Sequence, residues 1–224
     1  MAISPGLSRV LTALCGIVGV AMLGAYFAAP IPQPPTNASA AQVADVAMRY
    51  RDSVMLGGWL QACGTTLSVV FFLSLVHRSG AVTKLAGVLT TLASAVLLAV
   101  GLFEASLLID VATAAANGHA ATALSSYDLM GVFVHTFPIV PAPFTFLSLG
   151  WVLLGSPVLP RLFGYLALAI GVAFEVVGFA GLFSSAALIA TIVVIAAFEL
   201  WILAAAIVLL VRGERAASAV GSAA

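Results

Sequence analysis

The chain has 224 residues, 63% of them hydrophobic and 7% charged, with a mean hydropathy of +1.22. A soluble domain carries about 25% charged residues to wet its surface, so this composition excludes a soluble globule and indicates an integral membrane protein. Eight Lys/Arg balance eight Asp/Glu, which leaves no basic face of the kind nucleic-acid binding needs.

A bilayer core about 30 Å thick takes roughly 20 apolar residues in a helix rising 1.5 Å per residue. Six stretches meet that length, 10–29, 54–76, 85–109, 129–154, 162–183 and 186–211. Lipid offers backbone groups no partner, so each reads as helix. The expected fold is all-α, a single transmembrane domain of six helices over residues 1–224. The first stretch reads as a retained helix, although Ala38-Ser39-Ala40 resembles a signal cleavage site. Residues 30–53 form an outer loop with four prolines between Pro30 and Pro35. Thr36 or Asn37 then caps an interfacial helix to about Asp52, with Val43, Ala47 and Tyr50 on one face and Asp45 four residues before Arg49. That helix reads as a connector before it reads as a lid.

The fourth stretch carries Pro138, Pro141 and Pro143, each removing an N–H from the helical ladder. A pocket wall and a simple kink explain it equally. Arg9, Arg78, Lys84, Arg161, Arg212 and Arg215 fall on one side of the expected membrane and only Arg49 and Arg51 on the other. The positive-inside rule then places both termini in the cytoplasm, in a multi-pass protein of the inner (plasma) membrane. Lys84-Leu85-x-Gly87-x-Leu89 and Arg161-Leu162-x-Gly164-x-Leu166 share a pattern, with Gly101 and Gly178 seventeen residues beyond each basic residue. A duplicated hairpin or a shared entry chemistry accounts for it, the second slightly better.

The signs of charge are unevenly placed. Every basic residue lies in a loop, a tail or at a span end, whereas Glu104, Asp110, Asp128, Glu175 and Glu199 lie inside spans or at their outer ends. An ionised residue at a helix centre costs roughly 2.5–3.5 kcal/mol on insertion scales, so something retains carboxyls selectively. Counted along the helices, Gln61, Glu104, His135 and Glu175 reach similar depth in the outer half, and Glu199 lies near the midplane. Asp128 and His135 are spaced i,i+7. Asp110 and Asp128 also read as solvated interface residues, and Gln61 as an interhelical hydrogen-bonding group.

Several chemistries are disfavoured. Cys15 and Cys63 lack C-x-x-C spacing, and His77, His119 and His135 share no depth and face for a haem. The one lysine, Lys84, is at a span edge, and H-E-x-x-H, P-loop and paired-aspartate motifs are absent. No cofactor and no metal is implied.

Leu159-Pro160-Arg161-Leu162-Phe163-Gly164-Tyr165-Leu166-Ala167-Leu168, continuing to Phe183, resembles the fifth span of a bacterial family of six-helix membrane proteins known only as a domain of unknown function. The resemblance implies the same helical layout and no catalytic residues. Richness in Ala, Gly, Val and Leu with a single Lys suggests a GC-rich bacterial genome.

Three functions remain open. The first is a cofactor-free acid–base enzyme, of cyclase or isomerase type, on a lipophilic molecule such as a terpenoid, quinone or acyl lipid. In it Glu175 is the general acid, His135 and Glu104 serve as base or orienting partner, and Asp128 sets the protonation of His135. Gln61, Glu199, Trp59, Tyr127 and Phe179 are expected to contact substrate. The second is a proton-coupled carrier using Glu199 and Glu175, a homodimer through Ala167-x-x-x-Gly171 and Gly24-x-x-x-Ala28. The third is a structural or regulatory subunit whose carboxyls only bond between helices. Membrane lipid is a partner in every case.

Overall fold

A computed structural model describes residues 4–29, 32, 34–35, 37–137 and 140–221; the side chains of residues 5, 133–136, 185–189 and 213–221 lie outside the description. Among the described residues the chain is all-α, with eight helices: α1 Pro5–Phe27, α2 Ala40–Arg49, α3 Arg51–Arg78, α4 Leu85–Ala116, α5 Ala120–Thr136, α6 Pro141–Leu154, α7 Arg161–Gly181 and α8 Ser185–Gly221. Five of them, α1, α3, α4, α7 and the 190–212 part of α8, are long and apolar enough to cross a bilayer. Their outward faces carry large apolar side chains such as Leu92, Leu162, Val176 and Leu200, each about 60% exposed, an arrangement suited to lipid rather than water. The chain is a multi-pass membrane protein.

The expected fourth span is two helices. Pro141 and Pro143 sit in the first turn of α6, where an N–H has no intrahelical acceptor and proline's fixed φ fits. They start a helix instead of kinking one. Pro138 lies outside the described residues. α6 has 14 residues, about 21 Å of helix. α4 has 32 residues, about 48 Å, and runs seven residues past its expected end at Ile109. Its last turns are held by neighbours: Val111, Ala114 and Ala115 pack with Val43 and Ala47 of α2 and Ala123 of α5. Ser126 Oγ of α5 donates to Asp110 Oδ2 of α4 at 2.6 Å. We call this end of the molecule the α2 face.

α2 is capped by Ser39, not by Asn37, through a reciprocal box with Gln42; Thr36 lies outside the described residues. Ser39 wins because its hydroxyl reaches the N3 amide while Gln42 returns a bond to the Ser39 N–H at 2.8 Å. Val43 and Ala47 are buried as the spacing predicts, and Arg49 pairs with Asp45 at 3.0 Å. The helix ends at Tyr50, and α3 follows without a gap.

The six helices other than α2 and α5 form a ring in which each packs against its two neighbours, in the order α1, α3, α4, α6, α7, α8 and back to α1. Glycines set how closely neighbours approach. Gly19 of α1 and Gly64 of α3 each face the other's carbonyl oxygen, and a Cβ added at either would lie 3.0–3.1 Å from it. Gly150 of α6 and Gly164 of α7 repeat the arrangement at 2.9–3.1 Å. The two glycines of the repeated pattern thus do different work: Gly164 faces a neighbouring helix, whereas a Cβ on Gly87 would meet the Ala81 carbonyl of the preceding turn. This favours shared entry chemistry over duplication. Ala167 and Gly171 are likewise buried, with Gly171 against Leu147 of α6, whereas Gly24 has open space around it.

Towards the end of the ring remote from α2, aromatic side chains fill the middle. Phe72, Phe146 and Phe198 stack around one another at 5.1–6.2 Å between centroids. Phe174 and Trp201 extend the group, and Trp201 Nε1 donates to the Phe163 carbonyl at 3.0 Å. The ring is solid there.

Gly164→Leu drives its side chain into Leu154 and the Gly150 carbonyl. Overpacking of this kind costs about 1–3 kcal/mol, so the thermal midpoint and the monodisperse fraction in mild detergent should both fall. Gly24→Leu, with nothing within 4 Å of the added Cβ, should leave both unchanged.

Candidate functional site

Above the aromatic plug lies a partly open cavity of about 190 Å³, with the exposed Phe27 and Ile192 at its rim; it is larger than the roughly 150 Å³ space that accepts benzene in an engineered apolar core. Its walls come from α1, α3, α4 and α8, with Phe137 of the α5–α6 junction and Phe198 as aromatic boundaries. Leu23, Leu97 and Ile195 make most of it apolar, and the polar groups are few and grouped.

α3 supplies Gln61, Thr65 and Ser68. Their i, i+4, i+7 spacing puts all three on one stripe of α3. Gln61 is 6% exposed and Ser68 1% exposed. α4 supplies Glu104, which lines the same cavity as Gln61. α8 supplies Glu199 and Thr191. In the ring order α4 and α8 lie opposite each other, so the two carboxyls enter from opposite walls. No Lys, Arg or His lines the cavity among the described residues.

Two buried atoms in this wall, Gln61 Oε1 and Ser68 Oγ, have no hydrogen-bond partner within the protein. A buried polar group left so costs about 1–3 kcal/mol. The Gln61 carbonyl oxygen can accept a bond and the Ser68 hydroxyl can donate or accept one, so the wall offers a polar ligand group partners of both kinds.

A second cavity of about 200 Å³ lies nearer the α2 face, lined by Val43, Val46 and Ala47 of α2, Leu108 of α4, Tyr127 of α5 and residues of the proline loop. Tyr127 donates its hydroxyl to the Pro34 carbonyl at 3.2 Å, which ties that loop to α5. Tyr26 and Phe27 line both cavities and stand between them.

The expected site residues divide accordingly. Gln61, Glu104 and Glu199 come together in the inner cavity, and Tyr127 lines the outer one. Glu175 does not join them: it is exposed on α7, one turn from the exposed Val172 and Phe179. Phe179 and Trp59 also face outward, 64% and 53% exposed, and Asp128 is exposed on α5. The His135 side chain lies outside the described residues. Depth along a helix is readable from residue count, but the side a residue faces depends on which neighbours its helix packs against. Tyr26, Ser68, Phe137, Thr191 and Phe198 are additional lining residues. The i+7 step from Gln61 was a usable signal for Ser68; nothing local marked Phe198 or Thr191.

Among the described residues no group of three His, Cys, Asp or Glu is placed to share a metal ion. The chain matches no family model, no curated protein and no solved structure. The resemblance around residues 159–183 therefore adds nothing to the reading of the site. Fold and cavity define its class: an all-α, multi-pass membrane protein with a carboxyl-bearing chamber among its helices.

Ser68→Ala removes a buried hydroxyl that has no partner, so the thermal midpoint in detergent should rise, by the equivalent of up to about 1–3 kcal/mol. A fall would show that the hydroxyl contributes to folding.

Proposed function

We propose that this chain binds a lipophilic small molecule in the inner cavity and exchanges a proton with it through Glu104 and Glu199. The observation that carries this reading is the cavity itself: two carboxyls on opposite walls and two unpartnered buried polar atoms, Gln61 Oε1 and Ser68 Oγ, in largely apolar surroundings. A pocket of that make-up, apolar with a few convergent polar groups, is the usual form of a small-molecule site.

Of the three functions open at the outset, a cofactor-free acid–base enzyme of isomerase or cyclase type fits best. Such an enzyme needs one group to give a proton and another to take one, and the opposed carboxyls provide the pair. Glu104 takes the role expected of Glu175. A carrier needs a path through the ring, whereas the plug of Phe72, Phe146, Phe198 and Trp201 closes one end, which favours a dead-end chamber. A purely structural subunit leaves the unpartnered polar atoms without a purpose.

The membrane arrangement we propose has six crossings. α5 and α6 together make the sixth, both termini lie in the cytoplasm as the positive-inside count indicates, and the α2 face is outside a bacterial inner membrane.

Mass spectrometry of molecules co-purifying in mild detergent tests the site. Wild type and Glu175→Gln should carry the same small lipophilic molecule, and Glu104→Gln should lose most of it, about tenfold, as expected if one charge-assisted bond worth roughly 1.5–3 kcal/mol is removed. Bulk phospholipid alone in all three would overturn the proposal.

A further inference from the structure

The chemistry of the inner cavity narrows the ligand further, on the footing that the cavity is the binding site. Its polar wall carries two carboxyls, of Glu104 and Glu199, and a buried Gln61 carbonyl oxygen with no partner within the protein, beside the hydroxyl-bearing Tyr26, Thr65, Ser68 and Thr191. No cationic side chain lines it among the described residues. A ligand of matching character donates hydrogen bonds and carries the positive charge that the wall lacks. The apolar boundary agrees, because Tyr26, Phe27, Phe137 and Phe198 are aromatic and ring faces attract cations.

We infer that the ligand class is a small lipophilic amine, held with its nitrogen against Glu104 and Gln61 and its hydrocarbon part on the aromatic boundary. Such a molecule enters from lipid as the neutral base. In the cavity the Glu104 carboxylic acid gives its proton to the nitrogen lone pair, leaving a carboxylate beside an ammonium. One O–H bond breaks, one N–H bond forms, and the net charge of the buried site does not change. A permanent charge need never be carried through the hydrocarbon, where isolated ions are costly. Glu199, on the opposite wall, is left as the second proton-exchanging group. The volume of about 190 Å³ fixes the scale: one ring with a short polar arm, somewhat more than the benzene that roughly 150 Å³ admits.

Three probes of like shape decide the matter: benzylamine, benzyl alcohol and ethylbenzene, titrated calorimetrically into the full chain in nanodiscs at pH 7. Benzylamine should bind at least tenfold more tightly than benzyl alcohol. Glu104→Gln should abolish that preference while benzyl alcohol still binds, which shows an intact cavity, and Glu104→Asp should retain most of it. Equal binding of amine and alcohol to the wild type, or a preference that survives Glu104→Gln, overturns the amine assignment. If the alcohol and ethylbenzene bind and Gly101→Phe, whose added side chain starts in contact with Thr65 of the cavity wall, abolishes their binding while the variant stays folded and monodisperse, the binding-site reading stands without the amine. If none of the three binds the wild type, both readings fall. Should Glu104→Gln not yield folded protein, the wild-type ratio of amine to alcohol decides alone.

Discussion

Close backbone approach at paired glycines is the constraint on which the rest of the molecule depends. In lipid, helices gain little from burying apolar surface against each other, because the tails are as apolar as the side chains; association rests on van der Waals packing at short range. Gly19 against Gly64 and Gly150 against Gly164 bring carbonyl oxygens to within about 3 Å of where a Cβ would stand. Those two crossings lock α1 to α3 and α6 to α7. With α4 and α8 bridging the pairs, six helices close into a ring.

A ring of six has a middle, and the middle has to be filled. One end is filled by rings of another kind: Phe72, Phe146, Phe174, Phe198 and Trp201 reach inwards and meet edge to face, a favoured geometry for aromatic pairs. The other end is left with shorter and more polar side chains, Thr65, Ser68, Gln61 and Thr191, which line the cavity. The cavity is the consequence of that change in side-chain size along α3 and α8. Glu104 and Glu199 line this cavity, and the interior of a helix bundle is where ionisable groups in membrane spans are generally found.

The α2 face is built differently. There the last turns of the 32-residue α4 are covered by α2 and α5 through small residues, Ala47, Ala114, Ala115 and Ala123. The amphipathic pattern of Val43 and Ala47 was fully legible, yet the surface they meet is protein, since α2 packs on α4 and α5. An apolar stripe specifies burial, not the identity of what buries it. The same limit explains Glu175, which sits at the right depth on a helix that turns it outward beside Val176.

What composition and hydropathy decide without further help is the class and the helices: too few charges to wet a globule, apolar runs near 20 residues, and backbone groups that lipid compels into helices. Proline and glycine positions went further, marking the break before α6 and the glycines that later met other helices. Position along a helix is a local quantity, so where Gln61, Glu104 and Glu199 stand along their own helices can be counted from the sequence. Which carboxyls share a chamber is not local. Glu104 and Glu199 are far apart in sequence and on helices that do not neighbour each other, and only closure of the ring set them face to face across one cavity. The rotation of each helix, which separates Glu104 from Glu175, is fixed by packing against neighbours that no single stretch of the chain contains.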